Sequence, residues 1–533
     1  MKRCCYIVLT LFLVALAQDS LAQETVFALL KSDKKRADEY FREKNFESAL
    51  KYYSVVSERK NVSPSLMLQI AESSFFLKKY QQAVNAYEIY LKANSKIPEN
   101  SLFQLAEACV SLGDHAKALA YYKKYIDDFG PDPIVLKKIW RIDNIQFLFE
   151  DSSHFAVRPL AINSKLGDLF GQPLGKGFLF LSNRKDVNVV QKVDGTTNKP
   201  LHQLYYSPII ADSAISGALT IARPAKFQKT NFKFHVGPFA AYYRQSKMVV
   251  TVLEKNSKLV FAEKVGNAWV TRDDFPFNSD RYSVSDPAIS EEGTVLYFAS
   301  DMPGGYGGKD LYRSILQNGK WSKPVNLGET INTRYDEISP FIYKNSTLYF
   351  SSNGQAGLGG LDIFKADILG DEFDEPKNLG YPVNSKLDDF GVSIDSSGQR
   401  GFFTSNRESG EFDDDLYEFE MDLQTYPLVI NGTLRYREHN WNDSAELVNF
   451  ARARLVVIDA VRELVVYEHT TDPEGRFNIT IPYFSMYKIR VIGEDKHENV
   501  VSLDLPKHRK EESEHDIVVV KDAFKTPDSN QKE

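Results

Sequence analysis

The chain has 533 residues, of which 43% are hydrophobic and 26% charged, so it is a folded protein long enough for about three domains. Its formal net charge of −7, with no strongly basic stretch, argues against a DNA- or RNA-binding role. The 28 Tyr and 35 Phe residues are typical of a β-rich chain with many half-buried strands.

The N-terminus has the pattern of an export signal over residues 1–22. Lys2 and Arg3 form a charged start, an apolar core follows over Tyr6–Ala17, and Ser20-Leu21-Ala22 supplies the small residues of a cleavage site. The core is too short to span a bilayer, which takes about 20 residues, and no later apolar run is long enough. We therefore expect an exported, periplasmic protein without integral membrane insertion, in which Cys109 is the one remaining cysteine.

A first repeat lies within residues 24–150. Small residues and a tyrosine recur with steps of 34 and then 35 residues, at Ala49, Ala83, Ala118, Tyr53, Tyr87 and Tyr122. Each unit offers two amphipathic helical stretches, such as Ser32–Lys44 and Phe46–Glu58. The pattern resembles the tetratricopeptide repeat, closed by a capping helix from Asp132-Pro133 to Glu150. The resemblance implies an α-solenoid that either binds a partner in its groove or serves as a spacer, and both alternatives are open.

A second repeat, of 52 residues, begins after Asp151. Gly307 to Tyr312 matches Gly359 to Phe364, and the flanking strands match at the same spacing. A period of roughly 40–55 residues with about four strands per unit predicts a β-propeller. The units resemble the WD40-like repeat of TolB-type propellers, which implies one such domain over 151–423 with five blades, or six if the 183–233 stretch hides a unit. The count is supported by asparagines that open units, at Asn163, Asn278, Asn332 and Asn384.

Aspartates and glycines recur at fixed positions of these units, at Asp310, Asp362, Asp415, Gly307, Gly308, Gly359 and Gly360. A residue that recurs in successive blades is usually a turn or packing device, whereas a catalytic aspartate is needed once. We therefore expect a structural role, with a metal or ligand role as the alternative. The glycines lack the spacing of a phosphate-binding loop and the helix that would follow it.

Residues 426–521 depart from the 52-residue period and predict a small β-sandwich. Strand-like segments lie at Leu428–Arg435, Arg454–Asp459, Leu464–His469, Arg476–Ile481, Tyr487–Ile492 and Ile517–Lys521. Ile430 to Leu434 and Thr471 to Phe477 resemble the carboxypeptidase regulatory-like, transthyretin-like domain, which has no chemistry of its own in the families that carry it. The polar tail, 522–533, is predicted to be disordered.

Motifs that carry catalysis are missing from the sequence. There is no Gly-x-Ser-x-Gly, His-Glu-x-x-His or Cys-x-x-Cys, and the nine His residues are scattered. The sequence therefore predicts no catalytic residue, no cofactor and no metal site, and the protein is expected not to be an enzyme.

The order of signal peptide, helical repeats, propeller and sandwich resembles the PorE-like periplasmic proteins of Bacteroidetes, a family linked to type IX secretion. Members of that family continue into an OmpA-like domain that binds peptidoglycan. This chain ends at Glu533 without it, so peptidoglycan binding is not expected. The resemblance implies a non-enzymatic cell-envelope protein, associated with the outer membrane, whose partners are outer-membrane, secretion or gliding components.

Two hypotheses of function remain open, and a third is weaker. The leading one is a scaffold whose helical stack and propeller rim bind protein partners, and an exposed apolar patch would favour it. The alternative is a propeller whose channel holds a glycan or a peptide, which carboxylates and aromatic side chains at one mouth would favour. A hydrolase or lyase has the weakest support, because no convergent acid–base set is recognisable.

Overall fold

The computed structural model describes most of the chain between Ser32 and Val520. The described residues are 32–58, 62–94, 96–150, 152, 155–184, 199–212, 219–227, 235–266, 268–395, 398, 400–408, 414–421, 427–437, 446–460, 463–482, 486–494, 498–503, 505 and 512–520. The expected signal segment and the expected disordered tail lie outside them. The described residues form two compact units that divide between Glu420 and Met421.

Among the described residues, seven α-helices open the first unit. They are α1 (Asp33–Arg42), α2 (Phe46–Ser57), α3 (Pro64–Phe76), α4 (Tyr80–Ala93), α5 (Glu99–Leu112), α6 (His115–Phe129) and α7 (Pro133–Asp143). They pack as the pairs α1–α2, α3–α4 and α5–α6, followed by α7 against α6. Five of them begin where a side chain accepts hydrogen bonds from backbone N–H groups of the first turn, at Ser32, Asn45, Ser63, Asp114 and Asp132. Within the described residues, no helix has the length and apolar character needed to cross a bilayer.

The capping helix α7 is shorter than the sequence predicts. Asp132 is its N-cap, as expected from its place before Pro133, but the helix ends at Asp143 and not at Glu150. There, Asn144 Nδ2 donates to the carbonyl of Trp140 at 2.7 Å, and a 3-10 turn over Ile145–Leu148 follows. The chain tightens at this point, because Asn144 N donates to the carbonyl of Arg141, at 3.2 Å, as well as to that of Trp140, at 3.1 Å.

β1 (Phe155–Pro159) follows the helices, and four complete blades come after it in chain order. Blade 1 contains β2 (Asp168–Leu174), β3 (Gly177–Ser182), β4 (Gln203–Asp212), β5 (Leu219–Ile221) and β6 (Ala225–Lys226). Blade 2 contains β7 (His235–Tyr242), β8 (Lys247–Leu253), β9 (Lys258–Val265) and β10 (Ala268–Asp274). Blade 3 contains β11 (Val284–Ile289), β12 (Val295–Ser300), β13 (Asp310–Gln317), β14 (Lys320–Trp321) and β15 (Val325–Asn326). Blade 4 contains β16 (Glu337–Tyr343), β17 (Thr347–Ser352), β18 (Asp362–Leu369), β19 (Glu372–Phe373) and β20 (Lys377–Asn378).

The fifth blade closes the propeller by pairing a strand from the start of the propeller sequence with strands from its end. It contains β21 (Asp389–Ile394), β22 (Arg400–Ser405) and β23 (Asp415–Met421), with β1 paired to β23 as the outer strand. Arg158 on β1 ties this pair through ion pairs to Glu418, at 3.1 Å, and Glu420, at 3.0 Å. Closure removes the unpaired strand edges that an open arrangement would leave.

The strands described in the first unit therefore form a five-bladed propeller. The innermost strands β2, β7, β11, β16 and β21 neighbour one another in a ring. The described part of the 183–233 stretch adds no sixth blade, because β4, β5 and β6 join the sheet of β2 and β3.

Asparagine side chains join the blades at four junctions among the described residues. Asn332 Oδ1 accepts a hydrogen bond from Leu311 N at 2.8 Å, and its Nδ2 donates to Leu311 O at 3.0 Å. Each of these side-chain amides makes hydrogen bonds to the third strand of the preceding blade that a neighbouring strand would otherwise make. The same pair of bonds joins Asn163 to Leu416, Asn278 to Leu259 and Asn384 to Ile363.

The second unit is a β-sandwich of two sheets. One contains β24 (Leu428–Arg437), β25 (Val448–Asn449), β28 (Arg476–Ile481), β31 (Glu512–Glu514) and β32 (Ile517–Val520). The other contains β26 (Arg454–Asp459), β27 (Leu464–Thr470), β29 (Tyr487–Ile492) and β30 (Glu498–Leu503). Its core is aliphatic, with Leu455, Ile479 and Val491 fully buried. β30 is the one strand of this second sheet that the sequence reading did not include.

Candidate functional site

The repeated aspartates each begin the third strand of a blade. Asp310 starts β13, Asp362 starts β18 and Asp415 starts β23. Asp310 Oδ2 accepts hydrogen bonds from Tyr306 N at 2.6 Å and from Asn326 Nδ2 at 2.8 Å. Burial raises the pKa of both Asp310 and Asp362 above the ordinary range. The Asp310 contacts hold the turn in front of its strand.

The repeated glycines lie where two loops approach each other. A Cβ at Gly307 would come within 2.1 Å of the Arg334 backbone, and one at Gly359 within 2.4 Å of the Leu387 carbonyl oxygen. Only a residue without a side chain allows these backbones to pass so closely. The remaining close pairs are Gly308 with Asp336 and Gly360 with Asp388.

Two blades carry an arginine that clamps the start of the inner strand. Arg184 contacts the Asp168 carboxylate at 2.6 Å, and Arg407 makes the same contact with Asp389 at 2.6 Å. Each guanidinium also lies over two aromatic rings of its own blade. Both arginines are engaged within the fold.

Blade 4 replaces this clamp with a buried glutamate. Glu337 begins β16, and Gly354 occupies the place of the arginine. The Glu337 carboxylate accepts hydrogen bonds from Thr333 N at 2.7 Å, Thr333 Oγ1 at 2.8 Å and Ser352 Oγ at 2.6 Å. Burial without a cation partner in contact raises the pKa of Glu337 to about 7.

This raised pKa predicts a pH-dependent loss of stability. The folded-state pKa lies above the unfolded value of 4.5, so the folded state favours the protonated glutamate. The contribution of Glu337 is therefore most favourable below pH 4.5 and is lost as the pH rises towards 7. The free energy of unfolding, measured in urea, should fall more between pH 5 and pH 8 for the wild type than for Glu337→Gln, because glutamine does not titrate. An equal decrease in both proteins would contradict the assignment.

The repeated positions of the helices lie in the core. Ala49, Ala83 and Ala118 are fully buried where paired helices touch, as are the three tyrosines. Their hydroxyls donate to side chains of neighbouring helices: Tyr53 to Asp38, Tyr87 to Gln104 and Tyr122 to Glu107. Substitutions at these positions would report on repeat stability and not on a partner surface.

Propeller loops occupy part of the helical stack. The ring of Tyr335 stacks on Phe103 of α5 with centroids 4.4 Å apart. Arg334 contacts the Asp132 carboxylate at 2.7 Å and the Tyr125 hydroxyl at 2.9 Å. The surface expected to be free for a partner is thus partly filled by the chain's own loop 333–336.

A buried ion pair continues this seam. Lys138 Nζ on α7 contacts Glu107 Oε2 of α5 at 3.1 Å and donates to the backbone carbonyl of Asn353 at 3.0 Å. The two side chains are only 7% and 9% exposed. A second ion pair joins Lys78, after α3, to Asp388, before β21. The helices and the propeller are therefore held together by charge as well as by packing.

The propeller channel holds a cavity of about 530 Å³. All five inner strands line it, and its rim is formed by Glu291, Glu292, Lys344, Asn345 and Asp395. These rim residues follow the ends of the inner strands. The seam with the helices lies at the opposite end of the blades, where it involves Arg334, before β16, and Asn353, after β17. The cavity therefore opens on the face away from the helices, with carboxylates and aromatic side chains at its mouth.

A strip of exposed apolar side chains lies along α7, the 3-10 turn and the loop before β21. We call Leu136, Trp140, Phe147, Phe149 and Tyr381 the aromatic surface. They are between 42% and 53% exposed. Trp140 stacks on Phe147 with ring centroids 6.2 Å apart, and Phe149 lies 5.3 Å from Tyr381. The backbone bond from Tyr381 N to Leu148 O, 2.7 Å, fixes the propeller loop against this turn.

The sequence reading did not single out the polar groups of the cavity. Asp286-Pro287 and Ser339-Pro340 recur 53 residues apart, nearly in step with the propeller period, and this was the available signal. Within the described residues, no group of three or more His, Cys, Asp or Glu could hold a metal ion. Cys109 is fully buried, and burial raises its thiol pKa to about 12.

Comparison with known proteins gives likeness of structure only. No family model matches the chain, and no curated protein matches it. The TolB candidate of Agrobacterium tumefaciens has a TM-score of 0.30 and 11% identity, over 67% of this chain and 91% of that one. An α-L-arabinofuranosidase from Lactobacillus brevis has a TM-score of 0.32 and 11% identity, over 54% of this chain and 95% of that one. Yeast Tom70 has a TM-score of 0.20 and 22% identity, over 24% of this chain and 25% of that one. Values this low carry no argument about activity.

Proposed function

We propose that this protein is a non-enzymatic scaffold of the bacterial cell envelope that binds a protein partner through its aromatic surface. The observation that carries the proposal is that surface itself. Single exposed apolar residues are common, but two exposed pairs of aromatic rings on adjoining segments are typical of an interaction site. Aromatic side chains are enriched in protein interfaces and dominate their binding energy.

The seam between helices and propeller supports this role. Because Lys138, Arg334 and Lys78 bind the helices to propeller loops, the strip spans both parts without a flexible joint. A rigid surface loses little conformational entropy when a partner binds.

The proposed location in the cell and the proposed partner rest on the sequence resemblance. The export signal predicted over residues 1–22 and the likeness to PorE-like proteins of Bacteroidetes support a periplasmic, outer-membrane-associated protein. The expected partner is an outer-membrane or secretion-machinery component, as in type IX secretion or gliding. The carboxypeptidase regulatory-like sandwich would act as a spacer or a further contact.

Cross-linked capture tests the proposal. The tagged chain is purified from cross-linked cells, and co-purifying proteins are quantified by mass spectrometry. The variant Trp140→Ala/Phe147→Ala should lose its specific envelope partner, because a buried aromatic anchor contributes about 2 kcal/mol or more, roughly 30-fold in affinity.

A matched control uses exposed apolar residues elsewhere on the helices. Val55 and Ile89 are 45% and 50% exposed, and Val55→Ala/Ile89→Ala should keep the partner. Equal recovery with wild type and the Trp140/Phe147 variant would contradict the proposed surface.

A further inference from the structure

Every inner strand of the propeller carries a β-bulge at the same level of the channel. The register of strand pairing shifts there in all five blades. Phe170, Asp286 and Ser339 adopt left-handed backbone conformations at the bulge, with φ of 53°, 53° and 51°. Left-handed φ is uncommon for residues other than glycine, and such strain is concentrated at ligand sites.

The bulge places two polar side chains from neighbouring blades against the cavity. Asp286, of blade 3, and Ser339, of blade 4, both line it. Ser339 is only 5% exposed, and its hydroxyl has no hydrogen-bond partner among the described residues. Since buried polar atoms are normally paired, this hydroxyl is available to a ligand.

Asp286 is buried to a similar extent but retains capacity for a ligand. It is 6% exposed, and its Oδ2 accepts a hydrogen bond from Ser285 Oγ at 2.6 Å. Lys309 Nζ lies 3.6 Å away and is itself bonded to Ser285 Oγ. A carboxylate offers about four acceptor positions, so these contacts do not exhaust it.

The charge around the cavity favours a cation. Among the described residues, its lining contains four carboxylates, of Asp286, Glu291, Glu292 and Asp395, and one cation, that of Lys344. Even with Lys309 counted beside Asp286, negative charge is in excess. A cleft of one sign with low-dielectric walls concentrates the opposite charge, and aromatic walls add cation–π attraction. Phe239 and Phe341 line the cavity, whereas the Tyr343 ring already has Lys344 Nζ over it, 4.9 Å from its centroid.

We propose that this cavity binds an organic cation, namely a primary ammonium or guanidinium group, between the Asp286 carboxylate and the Ser339 hydroxyl. The group is carried either by a lysine or arginine side chain of a peptide or by a free polyamine. The volume of about 530 Å³ lies in the range of small-ligand sites. This binding is separate from the scaffold function, because the cavity opens away from the helices that carry most of the aromatic surface.

Calorimetric titration of the full chain without its signal segment tests the proposal. The probes are the tripeptide Ala-Lys-Ala with blocked ends, the same peptide with norleucine for lysine, and spermidine. We expect the lysine peptide or spermidine to bind at least tenfold more tightly than the norleucine peptide, and more weakly as salt increases. Binding of the lysine peptide alone identifies a peptide source, and binding of spermidine alone a free cation.

Two variants locate the site. Asp286→Asn should weaken binding roughly 10- to 100-fold, because a charge-assisted hydrogen bond is lost, and asparagine tolerates the left-handed backbone. Ser339→Gly should weaken binding roughly two- to tenfold and suits its backbone even better. Glu375→Gln removes the same charge from an exposed loop of blade 4 and should change nothing.

Three results would contradict the proposal of a cation site. It fails if neither cationic probe binds, if the norleucine peptide binds as well as the lysine peptide, or if both site variants bind like wild type. Thermal unfolding of each variant verifies folding, and Ser339→Gly keeps the test decisive should Asp286→Asn unfold. The Trp140/Phe147 variant should bind the cation normally, so failure of the scaffold proposal is distinguishable from failure of this one.

Discussion

Replacing Lys138 by alanine is expected to lower the free energy of unfolding of the helix–propeller unit by about 3–5 kcal/mol. The substitution removes the cation from Glu107, whose side chain is 9% exposed, and the donor from the Asn353 carbonyl. A carboxylate left without its partner in such a place cannot be solvated at low cost. Urea unfolding followed by circular dichroism at neutral pH gives the value.

Lys117 provides the matched control for this effect. Its ion pair with Glu88 joins two other helices at 3.1 Å, but the lysine is 51% exposed. Lys117→Ala should therefore cost less than about 1 kcal/mol. The double variant Lys138→Met/Glu107→Gln should regain much of the loss, because it leaves no unpaired buried charge. Equal, small losses of unfolding free energy for Lys138→Ala and Lys117→Ala would show that the buried ion pair does not stabilise the contact between helices and propeller.

The second large effect is expected at the asparagine junctions of the propeller. Asn332→Leu keeps the side-chain size but leaves the N–H of Leu311 without its partner, whereas the Leu311 carbonyl keeps the hydrogen bond from Leu327 N at 3.0 Å. An unsatisfied buried N–H costs about 1–3 kcal/mol, and the free energy of unfolding should fall by that amount. Equilibrium unfolding in urea, with the signal of the propeller tryptophans Trp269 and Trp321, measures it.

Burial determines how large the loss of unfolding free energy should be when the asparagine of another junction is replaced. Asn278 makes the same two bonds from a half-buried position, so water can replace part of what Asn278→Leu removes, and its loss should be smaller. Asn85 lies exposed on a helix, and Asn85→Ala should stay within about 0.5 kcal/mol. A loss at Asn332 no larger than at Asn85 would show that these amides do not hold the blades together.

Local repetition explains which elements of the fold could be predicted from the sequence. The helical pairs and blades each repeat a short pattern, because each unit must bury its own apolar face and turn at its own glycines. Ser32 and Asp132 begin their helices as their residue types indicate, and five predicted strands of the sandwich lie within one or two residues of those observed. The sixth, Ile517–Lys521, is described as far as Val520.

Contacts between distant parts of the chain explain what could not be read. That β1 completes the fifth blade depends on pairing with β23, some 260 positions later, and no local pattern encodes such a partner. The contacts of Tyr335 and Arg334 with the helices likewise join residues far apart in the sequence. The number of blades also depends on long-range pairing: the sequence allowed five or six, and the structure shows that β4 to β6 join the sheet of blade 1.

Repetition in the sequence predicts the kinds of unit in this protein and a structural role for their repeated residues. Which side chains meet depends on the tertiary structure. Asp286 and Ser339 lie 53 residues apart in equivalent strands, and they line one cavity because ring closure turns both bulges towards the same axis. Trp140 and Tyr381 share a surface because the seam fixes helices on blades. Repeats specify each unit through short-range contacts, whereas a site between units exists only once long-range packing has set their arrangement.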